Sequence, residues 1–151
     1  MKMTLEIGRE ENAEQYVHDL LQSGGILMGF GHPVYRTVDP RSIHLKNEAQ
    51  ALASRKGDPK WFSILTAITR TKAVKALAQK GVHPNVDFWA GVSYYLLGIP
   101  EDLFISVFAI GRIPGWVAQM NEQYAAGYLI RPNQLYTGPM DKTYVPIHQR
   151  G

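Results

Sequence analysis

The chain has 151 residues, 45% of them hydrophobic and 19% charged, with a net charge of +3 and no cysteine. That composition suits one globular domain and excludes a disordered chain, disulfides, zinc–thiolate sites and thiol catalysis, so a cytoplasmic protein is the default. No signal core stands at the N-terminus, no apolar run approaches the roughly 18 residues that cross a bilayer, and Lys and Arg are scattered rather than gathered in a stripe, so neither membrane nor nucleic acid is expected as a partner.

The segment from Glu11 to Gln22 places Tyr16, Leu20 and Leu21 at helical spacing, with Asn12 as N-cap, and Ser23-Gly24-Gly25 ends it. A short apolar run, Ile26 to Met28, leads into a loop that reads GFGHPVYRTVDPR, from Gly29 to Arg41. Asp39-Pro40 predicts a helix start, because the carboxylate accepts orphan amide bonds and proline suits the first helical position. That helix is expected to run through Ile43, Leu45, Ala49 and Leu52 to Gly57. A second is expected from Asp58-Pro59 through Trp61, Leu65, Ile68 and Leu77 to Lys80-Gly81. Asp87 then precedes the apolar stretch FWAGVSYYLL, closed by Gly98-Ile99-Pro100. Glu101-Asp102 opens another helix, apolar on nearly every face from Leu103 to Ile110, which predicts a central position; Pro114-Gly115 predicts a bend or a break. From Tyr128 onward the chain is rich in Pro, Gly and Tyr without period and reads as an extended tail laid over a surface. The fold class is mainly α, with five or six helices.

No P-loop, HExxH, GxSxG or EF-hand loop occurs, and the five histidines are too dispersed for a metal site. His32 stands out by its company: Gly31 before it, Pro33 after it, and Arg36 and Arg41 nearby. An imidazole that donates to a carbonyl oxygen, beside guanidiniums that fork onto carboxylates, suits a small anion with a polarisable carbonyl. A loop histidine that caps a helix, with surface arginines, fits the same spacing. Asp87 is either an N-cap or a general base at the mouth of a buried segment. Arg112 ends an apolar stretch and calls for an anionic partner, from the protein or from a ligand, and Arg131 adds a cation in the tail.

Together GFGHPVYRTVDPR, PNVDFWAGVSYYLLGIP, FAIGRIPGWVAQMNEQ, LIRPNQLYTGP and YVPIHQR resemble, in order and spacing, the C-terminal part of citrate synthases. GHPVY, SYYLLGIP and LYTGP look closer to the 2-methylcitrate synthase branch than to the common GHRVY form. The resemblance implies a helical fold in which residues 1–100 belong to the small domain and residues 101–151 supply a C-terminal helix and extended tail of the large domain. It implies condensation of an acyl-CoA, acetyl-CoA or propionyl-CoA, with oxaloacetate, followed by thioester hydrolysis, with no cofactor because acyl-CoA is itself a substrate. His32 would donate to the oxaloacetate carbonyl and Asp87 would take the proton from the acyl α-carbon. Arg41 and Arg112 would clamp the oxaloacetate carboxylates, Arg131 would do so from the second subunit of a dimer, and Phe108 would pack near the substrate. Ile26, Leu27, Met28, Gly29, Phe30 and Gly31 would form the loop under the CoA adenine, with Arg36 and Lys80 facing its phosphates.

The family's second substrate histidine and the histidine of an LHGG-like motif have no counterpart in these residues, and MKMTLEIG resembles the segment directly after that motif. The resemblance therefore implies an N-terminally truncated enzyme, inactive alone, that exposes apolar surface and assembles as a homodimer or higher oligomer, with a separate N-terminal fragment as a further partner. A stand-alone CoA-binding or regulatory module and a purely structural helical domain are the competing readings.

Overall fold

A computed structural model describes residues 1–150. Seven α-helices are present among them: α1 (Lys2–Ile7), α2 (Ala13–Gln22), α3 (Pro40–Lys56), α4 (Lys60–Arg70), α5 (Lys72–Gln79), α6 (Val86–Leu96) and α7 (Phe104–Ala126). Short 3₁₀ turns precede α2 and α7 and lie in the tail at Ile147–Gln149. No strand occurs among the described residues; Phe30 and Pro84 form an isolated antiparallel bridge. The chain is mainly α, as the sequence predicts.

The start of α3 follows from capping chemistry alone. Asp39 takes the extended N-cap conformation, its carboxylate accepts from the Arg41 amide at 2.9 Å, and Pro40 occupies the first helical position. Asn12 sits at the N-cap of α2 as expected, but its side-chain amide donates instead to the Ile7 carbonyl at 3.0 Å. The helix expected from Asp58-Pro59 to Gly81 is two helices, divided at Thr71. This buried threonine leaves helical geometry, its hydroxyl donates to the Ile68 carbonyl at 2.9 Å and accepts from the Val74 amide at 3.3 Å, and so it caps α5. The Glu14 carboxylate accepts from the next amide, Lys72, at 3.1 Å. Apolar spacing continues across the break, which is why the sequence reads as one helix.

The chain divides into two units, Met1–Gly111 and Arg112–Gly151. Helix α4 is central to the first and touches α1, α2, α3, α5 and α6. Its Ile64, Leu65 and Ile68, at helical spacing, are essentially inaccessible to water. Burial of such side chains stabilises by about 1.5–3 kcal/mol each. Phe88 and Trp89 of α6 extend this core, ring to ring at 4.9 Å, and Phe62 of α4 meets Trp89 at 5.6 Å. Helix α3 packs along α6.

The central position predicted for Leu103–Ile110 is not realised: α7 has no buried residue, and Ile105 is 84% exposed. Nor does Pro114-Gly115 break the helix, because the proline forfeits one internal bond while whole turns on either side hold. Together with the 3₁₀ turn before it, α7 makes the segment Glu101–Ala126 long and apolar enough, by length and composition only, to cross a membrane. Arg112 interrupts the stretch, so no uncharged run in it reaches the roughly 18 residues expected of a spanning segment. In the second unit the described residues beyond Gly127 hold no regular element except the 3₁₀ turn Ile147–Gln149, and nearly all are exposed. Arg112 is exposed too and pairs with no protein carboxylate among the described residues.

Candidate active site

The loop after α2 folds back onto the entrance of α6. Leu27 is buried while its neighbours Ile26 and Met28 stand out into solvent. The Gly29 carbonyl accepts from the Asn85 amide at 2.8 Å, and the Gly31 amide donates to the His83 carbonyl at 2.9 Å. The Asn85 side chain adds a donation to the Gly31 carbonyl at 3.1 Å and, through its oxygen, caps α6 by accepting from the Asp87 amide at 3.0 Å. Gly29 has φ +83° and lies against Phe88; a Cβ there would come within 2.9 Å of the Phe88 Cα. Only glycine meets both requirements without strain. The Phe30 ring meets Phe88 edge-on at 4.9 Å.

His32 emerges from this pairing. Its Nδ1 accepts from the amides of Val34 and Tyr35 at 3.0 and 3.1 Å, and its ring lies 4.6 Å from that of Tyr35. A neutral imidazole that accepts at Nδ1 carries its proton on Nε2. That Nε2 stands 3.4 Å from a terminal nitrogen of Arg41. A guanidinium has no acceptor, so with the proton on Nε2 the two groups meet as donors, an arrangement that an anionic or carbonyl oxygen would complete.

Arg41 is gripped from beneath. Its Nε and a terminal nitrogen donate to the two oxygens of Asp39 at 3.0 and 2.7 Å, while Asp39, 2% exposed, also holds the Arg41 amide. One buried carboxylate thus fixes both backbone and side chain of the arginine. These hydrogen bonds push the Arg41 pKa up against partial desolvation, and the charge of Asp87 adds to the effect. The same bonds hold the Asp39 carboxyl below its ordinary value of 3.8. The sequence reads Asp39 as a helix starter only; the spacing Asp-Pro-Arg is the signal for its second role.

Asp87 is not the cap. Asn85 performs that function, so Asp87 falls in the first turn of α6 with its carboxylate exposed. It lines two clefts, one of about 410 Å³ with Tyr94, Phe104 and Phe108, the other of about 540 Å³ with Met28, Gly29 and Tyr16. Arg36 and Lys80, both exposed, are brought onto neighbouring backbone: a Cβ on Gly81 would come within 2.9 Å of the Arg36 carbonyl, so the loop closes here because residue 81 is glycine. Arg112 and Arg131 lie in the second unit, both exposed and in no ion pair among the described residues. Of the residues the sequence nominates, Ile26 to His32, Arg36, Arg41, Lys80, Asp87 and Phe108 belong to the first unit. Asn85 and Gly81, which position them, were missed, although the Asn-Val-Asp and Lys-Gly spacings carry the signal.

The helical unit thus holds a histidine beside a fixed arginine, with an exposed carboxylate in the first turn of α6. Comparison with known proteins places the chain in a family. Residues 1–133 match the model of the citrate synthase C-terminal domain, and the chain belongs to the citrate synthase family. It is 43% identical over 99% of its length to citrate synthase 2 of Bacillus subtilis and 35% identical to 2-methylcitrate synthase 1 of Corynebacterium glutamicum. In these two proteins the identity does not follow the branch that GHPVY resembles. The structure of the Thermoplasma acidophilum citrate synthase in ternary complex with carboxymethyl coenzyme A and oxaloacetate superposes with a TM-score of 0.78 at 36% identity, over 99% of this chain. The chain spans about two fifths of the length of these relatives, 39% and 38% for the two enzymes and 40% for the solved structure.

Asn85→Ala removes a cap and the bond to the Gly31 carbonyl, and is expected to lower stability by about 1–3 kcal/mol in urea denaturation; Asn85→Asp, which keeps the cap but not the amide donor, recovers part of the loss. For Asp39 the folded pKa lies below the unfolded one, so the pair with Arg41 contributes stability above 3.8 that is lost as pH falls through the folded value. The stability difference between the native protein and Asp39→Asn should be full at neutral pH and shrink once pH drops below that value. A difference independent of pH would show that the charge contributes nothing.

Proposed function

We propose that this chain supplies the C-terminal part of the active site in a citrate synthase-type enzyme, which condenses acetyl-CoA or propionyl-CoA with oxaloacetate to give citrate or 2-methylcitrate and CoA. The observation that carries the proposal is the approach of the His32 Nε2 to a terminal nitrogen of Arg41, 3.4 Å apart, near the helix headed by Asp87. Oxaloacetate offers both a ketone oxygen and carboxylates there.

In this mechanism His32 donates to the ketone oxygen and polarises the carbonyl. Asp87 removes a proton from the α-carbon of the thioester, and the resulting enolate carbon forms the new carbon–carbon bond to the ketone carbon. The ketone oxygen takes the proton from His32, whose Nδ1 is supported by two backbone donors as the ring gains electron density. Water then cleaves the thioester and CoA leaves. Arg41 and Arg112 hold the carboxylates, Arg131 does so from a second copy, and Phe108 lines the cleft at Asp87. The segment Ile26 to Gly31 receives the adenine, with Arg36 and Lys80 toward its phosphates. Residues 101–151 belong to the large domain of the assembled enzyme, acyl-CoA enters as substrate with no separate cofactor, and the cytoplasm is the site of action.

In place of the matching segment of Bacillus subtilis citrate synthase 2, this chain should sustain thiol release from acyl-CoA and oxaloacetate. Asp87→Asn in that chimera should cut kcat by about 10²–10⁴. The 151 residues assayed alone should show negligible turnover. A chimera that binds CoA yet never turns over would favour the regulatory-module reading, and full activity of the Asp87 variant would overturn the assignment of the base.

Assembly follows from α7, where Ile105, Ile110 and Trp116 are 84%, 66% and 50% exposed. Apolar surface of that kind is covered by association. Light scattering at micromolar concentration should give a dimer or larger species; a clean monomer would contradict this.

A further inference from the structure

The cleft of about 540 Å³ is lined by Met28 and Gly29 of the loop and by Asp87 at the head of α6. A ligand seated on that loop and reacting at Asp87 would pass along it. Glu6 of α1 and Tyr16 of α2 line the same cleft, and the Tyr16 hydroxyl donates to the Glu6 carboxylate at 2.7 Å. We propose that the Glu6–Tyr16 couple is a specificity site for the arm of the acyl-CoA, accepting the N–H groups of its secondary amides; this rests on the reading of Ile26 to Gly31 as the CoA loop.

The chemistry of the couple selects the ligand. Because the hydroxyl proton is committed to Glu6, the pair presents only acceptors: the remaining carboxylate lone pairs and those of the phenol oxygen. The bond to Glu6 pushes the Tyr16 pKa up to about 12, so the hydroxyl stays protonated at any working pH. The Tyr16 ring packs against the core, which fixes where the acceptors point. The carboxylates of Glu6 and Asp87 both line this wall, which disfavours a further anion beside the couple. A neutral chain that carries N–H donors fits such a wall, and the pantetheine arm has two secondary amides.

Titration calorimetry of the 151-residue chain with adenosine 3′,5′-bisphosphate and with CoA separates the two readings. The native chain should bind both, CoA more tightly. Tyr16→Phe and Glu6→Ala should each weaken CoA binding by roughly 5- to 10-fold, the scale of one lost hydrogen bond, and leave the nucleotide unaffected. Glu6→Gln, whose amide carbonyl still accepts, should recover part of the loss, and circular dichroism confirms that each variant folds. Unchanged CoA affinity in both Tyr16→Phe and Glu6→Ala, or CoA binding no tighter than the nucleotide, overturns the arm site while the loop assignment stands. Failure of the nucleotide itself to bind overturns the loop assignment and the arm site with it.

Discussion

Everything at the site depends on a short stretch of backbone pairing, Gly29 to Gly31 against His83 to Asn85. Three hydrogen bonds, at 2.8, 2.9 and 3.1 Å, join two segments far apart in sequence. Asn85 serves both sides, since its side-chain amide holds the loop and its oxygen caps α6. The residue two places before Asp87 is therefore also the residue that holds the loop bearing His32. A helix cap that is satisfied elsewhere sets the Asp87 carboxylate free, and a histidine whose Nδ1 is already engaged is left with one proton to offer.

Arg41 reaches the same point by a different route. The Asp39-Pro40 start sets the direction of α3, and the buried Asp39 carboxylate then bends the guanidinium back over the cap. Burial of the carboxylate is tolerated because three donors of one residue satisfy it. The loop that looks crowded in sequence is thus two devices in series, one built on glycine backbone and one on a capping acid, and both end within 3.4 Å of each other.

Much of this was legible in the sequence because it is local. Capping at Asp39-Pro40 and the stop at Gly57 follow from residue types within a few positions of each other, and the amphipathic spacing of Ile64, Leu65 and Ile68 marks the core helix. What was not legible depends on distant partners. The break at Thr71 is stabilised by Glu14, which accepts from the Lys72 amide 58 residues further along the chain, and nothing in the spacing from Ile68 to Leu77 announces it. Asn85 and Asp87 are both good caps by residue type, and only the bond to Gly31 decides between them. Helix α7 reads as a core element because it is apolar all round, yet none of its residues is buried among the described residues.

The central claim is that the His32 loop and the head of α6 behave as one body. Amide hydrogen exchange at Gly31 and Asn85 tests it directly, since each of these N–H groups donates across the pairing. The account predicts that both exchange as slowly as the core amides of α4 and α6. Exchange as fast as in the exposed tail beyond Gly127 would mean that the loop opens independently of the helix, and would contradict it.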